Sequence, residues 1–273
     1  MARNSNGAIV WQGDSWLAPG VPIVAIITGL RTPTSNVKTG DMLQLWILLS
    51  EVSPVDAIKT GADRAICGDC IHRTKRIHVL DGFKFVLKTI RTCYVLVFQS
   101  PRTVWGSFKA GNYKPITEEQ REFCRSQYVR LGAYGDPSLV PYEILTQIIN
   151  PDFESHTGYT SQWNNPDIDP RFSGLLMASV NSPEERDQAN NQGWVAFRIK
   201  QASDKARAGI ERQCPADSTL PNPLACDQCL ACNAQGENQV VTAHGGQSKY
   251  IGNKIEQFPG DIFDAETMEQ IKS

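Results

Sequence analysis

Seven of the eight cysteines in this chain fall into two groups whose spacing suits ligation better than packing. In "LACDQCLACNA", Cys226, Cys229 and Cys232 recur every third residue, and Cys214 precedes them, followed by Pro215. A C-x2-C-x2-C turn with a more distant cysteine-proline has the ligands of a ferredoxin-type four-iron (4Fe-4S) cluster, because one tight turn aims three thiolates at three corners of a cubane. Here the cysteine-proline lies before the triplet rather than after it. Four thiolates also make a closed tetrahedral zinc site, although zinc knuckles usually draw their ligands from two separated C-x2-C pairs. Either centre lacks an open position, which suits a structural or electron-relay role rather than substrate activation.

The other group differs in ligand count. Cys67 and Cys70 form a C-x2-C, and Cys93 follows after a gap of 22 residues, with His72 and His78 nearby. Three cysteines on a four-iron cluster leave one iron without a protein ligand and open to a small molecule. An imidazole from His72 or His78 would instead close a zinc site of three thiolates and one nitrogen. Both readings stand on the sequence. The eighth cysteine, Cys124 in "REFCRSQ", reads as a small, half-buried side chain on a helix.

Further candidates sit at the ends of apolar runs. "RLGAYGDP" carries Arg130 and, after Gly132 and Gly135, Asp136. The glycines let a ligand or a backbone approach closely, and an Asp before Pro is also an ordinary helix cap. In "SHTGYTSQW", strand alternation sends Tyr159 and Ser161 to one face and Thr160 and Gln162 to the other. His156 in that run reads as a hydrogen-bonded structural residue. Asp136, Gln162, Gly132 and Gly135 are the expected contacts of a cofactor or substrate. "RTPTSNVKTGDM", with Ser35, Asn36, Lys38, Thr39 and Gly40, lacks the frame of a Walker loop. Its lysine and hydroxyls suit a solvated turn or an anionic ligand equally. "TAHGGQSK" sets His244 before two glycines, as a turn or as a ligand-approach loop. "HRTKRIH", with Arg73, Lys75 and Arg76, and the aromatic Trp163 form the basis for a nucleic-acid reading.

The elements that must hold these residues follow from hydrophobic pattern. "PIVAIITGL" and "MLQLWILL" read as a β-hairpin around the "RTPTSNVKTGD" turn, and "CYVLVFQS" as a further strand. "PRTVWGSFKAG" and "ITEEQREFCRSQ" read as helices, the second capped by Thr117. Then "YVRLGAYG", "SHTGYTSQW", "GLLMASV" and "GWVAFRI" read as strands, with helices over "SLVPYEILTQIIN" and "SPEERDQANNQ". Strands alternating with helices predict an α/β fold with mostly parallel strands and functional residues at their C-terminal ends. There are too few units for an eight-fold barrel, so the expected architecture is a partial or open (βα) barrel. Its predicted organisation is an N-terminal arm over 1–20 and an α/β domain over 21–210 that includes the first cysteine group. A metal-binding cysteine segment over 211–246 and a C-terminal tail over 247–273 follow.

With 273 residues the chain can bury a core without disulfides, and a formal charge of -2 advertises neither a nucleic-acid nor a membrane partner. No apolar run reaches the roughly 20 residues of a membrane span, and the N-terminus lacks a signal-peptide core. The expectation is a cytoplasmic protein with reduced cysteines, in a bacterial host if phage-encoded.

Taken in order, the motifs Cys67-Gly-Asp-Cys70, Cys93-Tyr94, "RLGAYGDP", "TGYTSQW", "MASV" and the terminal cysteine cluster resemble a family of uncharacterised bacteriophage and proteobacterial proteins over roughly residues 25 to 246. More distantly, a three-cysteine group before βα units and a cysteine cluster after them look like radical S-adenosylmethionine enzymes with an auxiliary cluster. Those enzymes carry C-x3-C-x2-C in one loop, which differs from the spacing of Cys67, Cys70 and Cys93. The resemblance implies iron-sulfur centres, S-adenosylmethionine as a cofactor and a redox or radical reaction on an unknown small molecule or macromolecule. The alternative is a structural or binding protein, such as a virion or assembly component, stabilised by zinc or iron-sulfur centres.

Overall fold

The structure is a computed structural model that describes residues 5–34, 36–81, 84–150, 155–245 and 247–251, without the side chains of 76–81, 84, 85, 87 and 249. Ser35, the His78 side chain and all of the tail after residue 251 lie outside the described residues.

The chain opens with three antiparallel strands, β1 (Gly7–Ser15), β2 (Ala18–Thr28) and β3 (Leu43–Leu49). The segment expected as an arm thus supplies an edge strand. Every residue of β3 is buried, as a run that is apolar apart from Gln44 requires of a strand covered on both faces. Two short helices follow, α1 (Pro54–Thr60) and α2 (Arg64–Cys67), and the second delivers the first cysteine. A separate hairpin, β4 (Thr74–Asp81) and β5 (Lys84–Arg91), occupies the gap between Cys70 and Cys93.

Helix α3 (Ser100–Lys109) is followed by α4 (Glu118–Arg125), whose Thr117 and Gln120 form the reciprocal capping pair. Then come β6 (Val129–Tyr134), the single turn α5 (Tyr142–Leu145), β7 (His156–Thr160), β8 (Met177–Val180), α6 (Pro183–Asn191) and β9 (Ala196–Lys200). The cysteine-rich end adds β10 (Arg212–Gln213), the one-turn helix α7 (Cys226–Cys229) and β11 (Gln239–Thr242).

These strands form one mixed, mostly parallel nine-stranded sheet in the order β1-β2-β3-β6-β7-β8-β9-β11-β10. All pairings from β3 onward are parallel. The edges are β1 and β10, and among the described residues no pairing joins them into a closed barrel. The residues of 211–246 are not an appendage, because β10 and β11 extend the sheet.

Two local expectations are corrected. "CYVLVFQS" is not a strand: the Cys93 and Val95 carbonyls accept from the Arg91 guanidinium instead of a neighbouring strand, and Leu96 and Phe98 are exposed. "SLVPYEILTQIIN" is a 3-10 turn and then one turn of helix, because Pro141 lacks the N–H a continuous helix needs and pushes Val140 into extended backbone.

Candidate cysteine-lined cavity

Strand alternation decides what faces the site. Arg130 and Tyr134 of β6, Tyr159 of β7, Ser179 of β8, Phe197 of β9 and Val241 of β11 all point to one face of the parallel sheet, where they line a cavity of about 240 Å³. All seven grouped cysteines line the same cavity.

The first group is assembled by the β4–β5 hairpin. Its register sets Thr74 opposite Arg91, and the Cys93 N–H then donates to the His72 carbonyl at 2.9 Å, so the 22-residue gap closes beside Cys70. Cys67 ends α2, and Gln162 fixes it by donating from Nε2 to the Cys67 carbonyl at 3.1 Å. Gln162 packs so tightly on Gly68 that a Cβ there would lie 2.4 Å from its amide. Arg73, half-buried, pairs with Asp63 at 2.7 Å and donates to the Gly61 and Gly68 carbonyls. Burial pushes the Cys67 thiol well above the ordinary range, with Asp63 and the neighbouring thiols adding to the effect. Burial likewise raises Cys70, against the opposing pull of the Ser161 hydroxyl.

His72 cannot readily complete a metal set here. Its Nε2–H donates to Asn181 Oδ1 at 2.8 Å, and its Nδ1 accepts from the Thr92 hydroxyl at 3.0 Å. Burial lowers its pKa to about 4, so the imidazole is neutral. The Tyr134 hydroxyl is the opposite case: the residue is 3 % exposed and its Oη has no hydrogen-bond partner among the described residues. The first groups whose charge it feels are Cys67 and Asp63. A buried hydroxyl without an acceptor marks a place where a bound group can supply one.

The second group is held from three directions. The Cys214 N–H donates to the Val240 carbonyl at 2.8 Å, the Cys226 N–H to the Lys38 carbonyl at 2.9 Å, and the Cys232 carbonyl accepts from the Gly158 N–H at 3.1 Å. Asp217, buried, locks the turn after Cys214 to the end of β11 by accepting from the Thr242 N–H and the Gln213 amide. Asp227 accepts from the Asp41 N–H at 3.0 Å and so docks α7 on the β2–β3 loop. Burial raises Cys214 to about 11 and also raises Cys226 and Cys232, while Lys38 acts on Cys214, and Arg130 and Lys38 act on Cys226, in favour of the thiolate.

Among the described residues no three His, Cys, Asp or Glu side chains converge closely enough to hold a single metal ion. The expected small-molecule contacts divide. Gly132, Gly135 and Asp136 line the cavity, whereas Gln162 faces away, as alternation requires. Asp136 is committed to structure: it accepts from the Ser138 N–H and hydroxyl, the Thr160 hydroxyl and the Ser161 N–H. Gly132 and Gly135 sit at φ +75° and +77°, and a Cβ on Gly135 would lie 2.5 Å from the Ile47 carbonyl, so both serve the turn.

Two of the residues cited for nucleic-acid binding are engaged or covered, and Lys75 is half-buried. Arg73 is in its ion pair, Trp163 is 7 % exposed, and the Arg76 side chain lies outside the described residues. Cys124 is fully buried, with its pKa raised by burial to about 12. Tyr94 and Tyr134 were not singled out as contacts, although Tyr134 shares its face with Arg130 and Gly132 at a period of two.

Among the described residues no helix is long and apolar enough to cross a membrane. The chain matches no protein-family model, no curated protein and no solved structure.

Proposed function

We propose that this chain is an iron-sulfur protein that acts on a small molecule in the cavity its seven grouped cysteines share. Cys214, Cys226, Cys229 and Cys232 would hold a four-iron cluster with no open position, and Cys67, Cys70 and Cys93 a second cluster with one iron unligated by protein. The single observation that carries the reading is that both groups line one cavity on the parallel strands, and a concave, mostly apolar pocket with a few polar groups is where proteins hold small molecules. Purely structural centres have no need of a common cavity.

Two further features support it. A tetrahedral zinc with Zn–S bonds of about 2.3 Å gathers its sulfurs within about 4 Å of one another. A cubane takes each thiolate on a different iron and spreads them more widely. Cysteines that are grouped but do not converge on one point suit the second case. The donors also fit: Tyr134 offers a hydroxyl without an acceptor beside Cys67, and Lys38 and Arg130 favour the thiolates of the other group.

Such clusters supply one-electron transfer and, at an open iron, binding of a small molecule such as S-adenosylmethionine. The chain itself would orient and enclose that molecule with the β6 turn at Gly132 and Gly135 and the walls of β7 to β11, in a sheet curved as a partial barrel.

The test is iron, zinc and sulfide content with absorption and electron paramagnetic resonance spectra on anaerobically purified protein. About eight irons with matching sulfide is the expected result, and the triple change of Cys67, Cys70 and Cys93 to Ala should remove half of them. Zinc alone, without sulfide, overturns the reading and leaves a structural or binding protein.

A further inference from the structure

The cavity is lined by two cations that, among the described residues, make no ion pair with a carboxylate, although the Asp217 carboxylate acts on Lys38 from further off. Lys38 comes from the β2–β3 loop and Arg130 from β6. Lys38 Nζ lies 5.9 Å and Arg130 Cζ 6.0 Å from the centroid of the same ring, that of Tyr94. Arg130 gives one N–H to the Tyr94 hydroxyl. Lys38 donates to His244 Nε2 at 3.2 Å, and the His244 Nδ1–H is held by the Thr242 carbonyl at 3.1 Å, so the imidazole orients the ammonium. His244 also stacks on Tyr94, with ring centroids 5.3 Å apart.

Among the described residues the buried Arg186 and Arg198 pair with Glu211, and the half-buried Arg73 pairs with Asp63. Among the described residues Lys38 and Arg130 make no such ion pair. Two like charges held against one ring repel each other, and an anion between them relieves that repulsion. The positions are fixed rather than adaptable, because the Lys38 carbonyl accepts from the Cys226 N–H and Arg130 sits within a paired strand. Other walls of the same cavity are aromatic and apolar: the Tyr159 and Phe197 ring centroids lie 4.3 Å apart, and Ile199 and Val241 line it too.

We infer that Lys38 and Arg130 clamp the phosphate of a small phosphate monoester whose aromatic or apolar body lies against Tyr159 and Phe197. This rests on the reading of the cavity as the substrate site. A phosphate monoester, with its second pKa near 6, brings about two negative charges at neutral pH to meet two positive ones, and the guanidinium fork matches its oxygens. A carboxylate brings only one.

The experiment is calorimetric titration of the anaerobically purified full chain with phenyl phosphate, and separately with inorganic phosphate and benzoate, with iron assayed on the same samples. Phenyl phosphate should bind about tenfold or more tightly than either comparison anion, since each loses one of the two recognition elements. Lys38→Gln and Arg130→Gln should each weaken it by about tenfold or more, Lys38→Arg should retain it, and Lys109→Gln, on a surface pair with Glu51, should leave it unchanged. Binding of benzoate equal to that of phenyl phosphate, or binding indifferent to both Gln changes, overturns the clamp. So does a wild-type protein that binds no phosphate while the Gln variants lose iron, which would assign the cations to balancing a cluster's charge. Phosphate binding by protein that holds no iron keeps the clamp and sinks the cluster reading instead.

Discussion

Tyr134 and His156 are both buried and carry an unpartnered polar atom, with opposite consequences. The Tyr134 hydroxyl borders the cysteine cavity, so Tyr134→Phe should stabilise metal-free protein by about 1 kcal/mol, the desolvation cost of an unmade hydrogen bond. In metal-loaded protein the same change should shift the reduction potential, because hydrogen bonds to sulfur tune it. Unfolding curves and redox titrations of both forms separate the two effects. His156 donates from Nε2 to the Leu175 carbonyl at 2.9 Å, and its Nδ1 has no partner among the described residues. Burial lowers its pKa, while the Leu175 carbonyl works in the other direction. The unfolded chain therefore binds more protons than the folded one below about pH 6.5, and stability falls as the pH drops through that value. Unfolding free energy measured from pH 7 to pH 5 should decline, and His156→Gln, which keeps an N–H for Leu175, should flatten that slope.

At the scale of elements, the cysteine segment depends on a buried ion network. Glu211 accepts from Arg198 at 2.9 Å, from Arg186 at 3.3 Å and from the Arg207 N–H at 3.0 Å. It thereby ties α6 and β9 to the chain three residues before Cys214. Glu211→Gln leaves the buried Arg198 guanidinium without its carboxylate and Arg186 with Asp187 alone, and should cost about 3–5 kcal/mol in urea unfolding. Cys214 should lose its metal in that variant even under conditions where the rest of the protein stays folded. The β4–β5 hairpin does the equivalent for Cys93, and its place was hidden in the sequence. "TKRIHVLDGFKFVLKTIR" carries charged and apolar residues on both strands and lies off the main sheet, so it lacks the one-sided alternation by which β6 and β7 announce themselves.

At the scale of the molecule, one sheet brings residues from positions 38 to 244 around a single cavity. If metal organises the irregular stretch from Cys214 to Cys232, its removal should loosen that stretch first, because few regular backbone pairings restrain it. Limited proteolysis of chelated, air-oxidised protein should cut within 214–232 about tenfold faster than anaerobic protein, with β6 to β9 resistant in both. Equal cleavage of the two forms would remove metal as the organiser.

The cysteine spacing, the Thr117 cap and the alternation that sends Tyr159 and Ser161 to one face and Gln162 to the other are short-range properties. The sequence by itself determines them, because they depend on neighbours within a turn or a strand. The same holds for the parallel βα pattern from β6 to β9. Which distant groups meet is a different matter. The joining of Cys93 to Cys70 through an unsignalled hairpin, the commitment of Asp136 and His72 to internal hydrogen bonds, and the meeting of Lys38, Arg130, Tyr94 and His244 at one mouth were decided by the tertiary structure. These contacts span tens to hundreds of residues, and packing of the whole sheet, not local preference, selects them.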